Sequence, residues 1–286
     1  MKARRILVIA IGAISLLAGS CASLPPMAQQ SRPGAQQGAL GQSVSIQTAD
    51  GMASALFFAP SEPGSYPAVV LFPDASGLRP AFSNIGQRLA QAGYHVLIPN
   101  EFYRSTSFDG SAENAAELLP PSETFRRGME WRTLATDAAV ISDTRAYLAW
   151  LGTLPGVDHS AKVGVGGFNV GASHAFIAAR AMPYKIAAVA VAHPSAIATT
   201  RDTSPHLFVA QSNAAYLVQL AAPDDEREPQ DRPDLLAAFA NAGLSGEVTV
   251  TPADQGFAIP DQAGFDPAAE EAFFQAMLTL FGEKLK

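Results

Sequence analysis

Residues 162–175 read KVGVGGFNVGASHA. A β-branched run that closes on Gly167-Phe-Asn-Val-Gly171 and opens into small helix-forming residues has the layout of a nucleophile elbow, a sharp strand-to-helix turn that lifts one side chain above a sheet. Small residues two places either side of the centre are needed because the two backbones nearly touch there. The backbone N–H that follows the centre, here that of Val170, faces a developing oxyanion in such a turn. That chemistry, attack on a carbonyl, requires Ser or Cys at the centre, and this chain carries Asn169. An amide does not lose a proton near neutral pH, and its nitrogen lone pair is delocalised into the carbonyl, so it attacks poorly. A tight strand-to-helix turn without chemistry is the plainer reading of the same pattern.

Other residues could in principle supply a hydrolytic pair. Ser173 and His174 follow the turn, but consecutive helical positions point about 100° apart and cannot bond as nucleophile and base; they read as packing residues. His193, in Ala-His-Pro-Ser, stands at a strand end, and Ser76 lies in the turn Asp74-Ala75-Ser76-Gly77. A hydroxyl at 76 served by His193 would make an unconventional site beside Asp74, whereas turn roles for both are the simpler account. Asp224 and Asp225, in APDDEREPQD, read as a solvated charged loop, and His95, His159 and His206 have no metal-ligand spacing. No metal site is expected.

These residues have to be held by regular elements. Segments 43–48 and 53–58 read as an opening antiparallel pair. PAVVLFPD (67–74), HVLIPN (95–100), KVGVGGFN (162–169), IAAVAVAHP (186–194), PHLFVAQS (205–212) and GEVTVTPA (246–253) read as buried strands. Helical stretches lie between them. Ile85, Leu89 and Ala92 share a face that stops at Gly93; Leu134, Ala138, Ile141, Leu148 and Leu151 form a stripe that stops at Gly152; Asp266 and Pro267 open a last helix that buries Phe274, Met277, Leu278 and Phe281. Alternating strands and helices predict an α/β chain with a mostly parallel sheet between two helical layers, and ligands in such folds sit outside the carboxyl ends of the strands.

The segment YPAVVLFPDASGLRPAFSNIGQRLAQAGYHVLIPNEFYR (66–104), followed by the elbow at 167–171, resembles the dienelactone hydrolase family of the α/β-hydrolase superfamily. The resemblance runs over nearly all of residues 43–286 and implies an α/β-hydrolase fold, with lactone or ester hydrolysis by a Cys or Ser, an Asp and a His, and no cofactor. Carried over, the nucleophile falls on Asn169. The acid, which in the family follows the strand matched by PHLFVAQS, falls on Asn213 or Ala214. The histidine falls on Gln255, in Asp254-Gln255-Gly256-Phe257, and an amide cannot act as a general base. The family's His-Glu before its glycine turn becomes Pro73-Asp74. Arg104 resembles its carboxylate-binding arginine, and its second arginine falls on Ile259. The resulting expectation is a non-catalytic binding or interaction protein, with Asp74, Ala75, Arg104, Val170 and His193 around a small carboxylate or ester-like ligand and an Asn169–Gln255 amide pair across the pocket. A hydrolase of esters or lactones working through Asp74, Ser76 and His193 is the alternative.

The chain begins MKARRILVIAIGAISLLAGSCAS, a basic start and an apolar run shorter than the ~20 residues that span a bilayer, which marks an export signal over residues 1–20. Cys21, the chain's single cysteine, directly follows Leu-Leu-Ala-Gly-Ser and resembles a bacterial lipidation site. Ordinary cleavage near Ala22, leaving a soluble exported protein, is the alternative. Residues 21–42 are rich in Pro, Gln and Gly and read as a flexible tether. With 48% apolar residues, 43–286 can bury one sizeable core, and a net charge of −7 without a basic run outside the signal argues against nucleic acid. The protein is expected to be exported and anchored through lipid on Cys21, on the periplasmic side of the outer membrane, because no aspartate follows the cysteine. Cys21→Ser should therefore move the full chain from the membrane pellet to the soluble fraction; unchanged fractionation would refute the anchor.

Overall fold

The computed structural model describes residues 41–105, 126, 130 and 132–286. The signal segment, Cys21 and the tether as far as residue 40 lie outside the described residues.

Eight strands form one sheet: β1 (Gln42–Thr48), β2 (Gly51–Phe58), β3 (Ala68–Phe72), β4 (His95–Pro99), β5 (Val163–Phe168), β6 (Ile186–Ala192), β7 (Ala215–Ala221) and β8 (Gly246–Thr251). Their order is β1-β2-β4-β3-β5-β6-β7-β8; β1, β2 and β4 pair antiparallel, and everything from β4 to β8 is parallel. The described helices are α1 (Pro80–Gln91), α2 (Asp137–Leu151), α3 (Gly171–Ala181), a short α4 (Ala222–Arg227), α5 (Asp231–Ala242) and α6 (Pro267–Lys284). Successive strand residues point to opposite faces, so β3 sends Val70 and Phe72 into the core under α2, α3 and α5, and Val69 and Leu71 into the core under α1 and α6. Both faces are covered, which is why the parallel strands are continuous apolar runs.

Two expectations are corrected. PHLFVAQS is not a strand: residues 205–211 form a 3₁₀ helix in which only Val209 is buried and Leu207 is 54% exposed. A short apolar run bounded by turn residues has no period that separates the two states. The strand is the next run, AYLVQLA, which meets β6 on one side and β8 on the other. The stripe on α2 is also displaced. Its buried residues are Val140, Asp143, Thr144, Tyr147 and Leu151, while Leu134 lies outside the helix and is half exposed. Polar Asp143 is drawn inward because Tyr103 and Arg104 both donate to its carboxylate.

The turn between β5 and α3 brings backbone against backbone. A Cβ on Gly167 would stand 2.5 Å from the Gly171 carbonyl oxygen, and one on Gly171 would stand 2.2 Å from that of Pro73 and 2.4 Å from that of Phe72. Backbone cannot yield as a flexible side chain can. Gly171→Ala should therefore cost at least the ~1–3 kcal/mol typical of overpacking, read as a lower urea midpoint with an unchanged slope.

Candidate functional site

Asn169 sits at the apex of this turn with φ 51°, the left-handed region. Asn enters that region more readily than almost any other residue with a side chain, because its short amide can bond locally. It does so here: Asn169 Oδ1 accepts the Val170 N–H at 2.7 Å. The donor expected to face a ligand is thus occupied by the neighbouring side chain. Val170 itself is buried and does not border the cavity described next.

The parallel strands deliver their ends to one place. Asp74 and Ala75 follow β3, Asn169 follows β5, His193 follows β6, and Gln255 and Gly256 follow β8. With Ile259 and Gln262 they line a cavity of about 130 Å³. Asn169, Gln255 and Asp74 therefore converge as expected, but the expected Asn169–Gln255 bond is not formed: Asn169 Oδ1 is turned onto Val170, and Gln255 Oε1 is buried without a partner.

Asp74 is bound on every side. Oδ1 accepts from the Ser76 N–H at 2.9 Å and from Arg79 at 2.5 Å; Oδ2 accepts from Arg79 at 2.8 Å and from Gln262 at 2.8 Å. Arg79 in turn uses each of its five N–H donors, on both oxygens of Asp74, both oxygens of Asp261 and the Gly77 carbonyl. Arg79 and Asp74 are each 4% exposed. Sequence reasoning missed Arg79, Asp261 and Gln262; the available signal was a lone cation in the otherwise uncharged turn SGLRPAF. Arg79 gives Asp74 an arginine partner from the first turn, while Ile259 is buried in the cavity wall.

Arg104 is not at this site. It bonds both oxygens of Asp143 and Oδ2 of Asp50, locking β1–β2 to α2. Its commitment to two carboxylates leaves it as a structural cation. The Ser76–His193 pair is not formed either, since neither ring nitrogen of His193 has a hydrogen-bond partner. Ser173 donates to the Val170 carbonyl, and His174 is paired with Glu101, both within the protein interior. No group of His, Cys, Asp and Glu among the described residues could hold a metal ion.

The corrected strand changes which residues stand at its two ends. Asn213 and Ala214 precede β7, at the end of the sheet opposite the cavity, whereas Asp224 and Asp225 stand just past its carboxyl end. They do not form a solvated loop. Asp224 Oδ2 and Asp225 Oδ1 are buried without hydrogen-bond partners, although Asp224 Oδ1 accepts from Arg227 at 2.5 Å and Arg232 Nε stands 3.4 Å from Asp225 Oδ1 as an ion pair. Both line a second cavity of about 180 Å³ with Glu228 and Asp231, and Gln255 borders this cavity as well as the first. Burial, followed by the charge of Glu228, pushes the Asp231 carboxyl up to about 6.

A family model for the dienelactone hydrolase family matches residues 53–285. The chain belongs to that family. Among curated proteins, the carboxymethylenebutenolidase of Rhodococcus opacus is 29% identical over 136 residues, 48% of this chain and 47% of the relative, so the match spans about half the relative's length. Solved structures agree in fold. A Klebsiella pneumoniae protein assigned as a dienelactone hydrolase superposes with a TM-score of 0.70 at 20% identity, covering 85% of this chain and 98% of its own. The dienelactone-hydrolase-like promiscuous phosphotriesterase P91 from metagenomic libraries gives 0.67 at 21% identity, covering 86% and 99%. The α/β-hydrolase fold expected from the sequence is thus the fold observed.

His193 stands at the wall of the first cavity. It is fully buried, has φ 36°, and packs its ring against Phe168 and Phe257, with Asp74 and its partner Arg79 the charged groups on that wall. Burial lowers its pKa to about 3. The unfolded chain, with a histidine near 6.5, binds the proton first, so this group's share of stability is complete above about pH 6.5 and is lost as pH falls toward 3, at roughly 1.4 kcal/mol per unit. Denaturant titrations from pH 7 to 4.5 should show that loss together with a second from His174, which burial lowers to about 4, and His193→Gln should remove about half of the slope.

Proposed function

We propose that this chain is a dienelactone hydrolase family member that binds a small molecule at its strand ends without hydrolysing it by acyl transfer, held at a membrane through lipid on Cys21. The observation that carries the reading is Asn169: the elbow presents an amide in place of a nucleophile, and that amide takes the Val170 N–H that would otherwise stabilise an oxyanion. Gln255, which stands where the family's histidine is expected, supports it, since an amide cannot accept the proton. Loss of a triad nucleophile or base typically costs about 10⁶ in turnover. The alternative site at Asp74, Ser76 and His193 has no support, because Asp74 already accepts four hydrogen bonds and His193 meets no hydroxyl. Asp224 falls on the acid position that follows β7, so two of three positions are altered on this reading. No helix among the described residues is long and apolar enough to cross a membrane.

Against p-nitrophenyl acetate and γ-butyrolactone, the full chain should show no turnover above buffer, and Asn169→Ser alone should stay flat because triad members act as a unit. Asn169→Ser with Gln255→His should give measurable hydrolysis, and adding Asp224→Asn should lower it at least tenfold. Wild-type turnover that survives Asn169→Ala would overturn the proposal.

A further inference from the structure

The hydrogen-bonding groups around the first cavity fall into two sets. The charged set is closed: all five donors of Arg79 and all four acceptor sites of Asp74 are used within the protein. No positive charge in that wall is left for an anion. The open set is neutral. His193 has two buried ring nitrogens without partners, one a donor and one an acceptor in the neutral ring, and Gln255 Oε1 is a buried acceptor without a partner. Asn169, whose Oδ1 is taken, still has its Nδ2 donors. A fully buried imidazole with both nitrogens unpaired is costly unless something completes it.

We propose that this cavity binds a small neutral carboxamide or lactam, whose carbonyl accepts from His193 or Asn169 and whose N–H donates to Gln255 or to the imidazole acceptor. This deepens the binding reading above and rests on it. A carboxylate would lose its hydration with no cation to replace it, and an ester or lactone offers acceptors but no donor, leaving the buried acceptors unpaired. A 150 Å³ cavity in another protein holds benzene, so about 130 Å³ admits roughly six non-hydrogen atoms.

Three probes of six non-hydrogen atoms separate the chemistries: 2-pyrrolidinone, γ-butyrolactone and butyrate. Saturation-transfer NMR titrations on the full chain should show pyrrolidinone binding in the millimolar range, butyrolactone at least tenfold weaker, and butyrate not at all. His193→Phe should weaken pyrrolidinone at least tenfold. Gln255→Leu, at a less buried position, should do the same and serves if the first variant fails to fold. Butyrate binding as tightly as pyrrolidinone, no saturable pyrrolidinone signal, or a folded His193 or Gln255 variant that binds it unchanged would overturn the assignment. Butyrolactone bound but unhydrolysed and preferred over pyrrolidinone would overturn the ligand class alone, whereas its hydrolysis would overturn the non-catalytic reading.

Discussion

The organisation of the strand ends depends on one close approach, that of Gly171 to the Phe72 and Pro73 carbonyls. No side chain fits between them, so α3 begins directly against the end of β3 and the turn before it is forced to carry one residue in the left-handed region. In an enzyme of this fold that strain holds a nucleophile in position. Here it holds Asn169, whose amide relieves the strain locally by taking the next backbone N–H.

Beside the turn stands a network with a different origin. Arg79 lies just before α1, whose first residue is Pro80, and its guanidinium joins the loop after β3 to the segment that carries Asp261 and Gln262. Charges this deep are tolerated only when every donor and acceptor is satisfied, and removing one partner of such a pair typically costs about 3–5 kcal/mol. The network therefore fixes two loops that border the cavity. It also leaves no N–H donor of Arg79 and no acceptor site of Asp74 free. The acceptors around Gln255, Asp224 and Asp225 are the counterpoint: they are buried and only partly satisfied, around a second cavity that Gln255 also borders.

Most of the fold is readable in the sequence. The runs PAVVLF, HVLIP and IAAVAVA are rich in β-branched or apolar residues and are strands covered on both faces as read, and the glycines of GGFNVG mark a tight strand-to-helix turn, because composition and left-handed turns are local properties. Asp266 and Pro267 set the start of α6 for the same reason, and Asp266 Oδ1 accepts from Ala268 and Ala269 as a cap should. That Asn169, Asp74 and Gln255 would share one cavity followed from the family resemblance, and the parallel strands, which bring their carboxyl ends to one edge, supply the physical means.

What the tertiary structure alone decided is which polar groups meet. Between PHLFVAQS and AYLVQLA, two adjacent apolar runs, only pairing with β6 and β8 selects the strand, and that choice puts Asp224 rather than Ala214 past a strand's carboxyl end. Arg79 and Asp261 are 182 residues apart in sequence, and Arg104 finds Asp50 and Asp143 rather than a ligand, because long side chains settle by distance and burial that no spacing encodes. Local pattern specifies the strands other than β7, the tight turn after β5 and the residue type at its apex. Packing decided that Val170's donor is closed, that Asp74 is saturated and that His193 stands buried and unpaired, since satisfaction of a hydrogen bond is a property of three-dimensional neighbours.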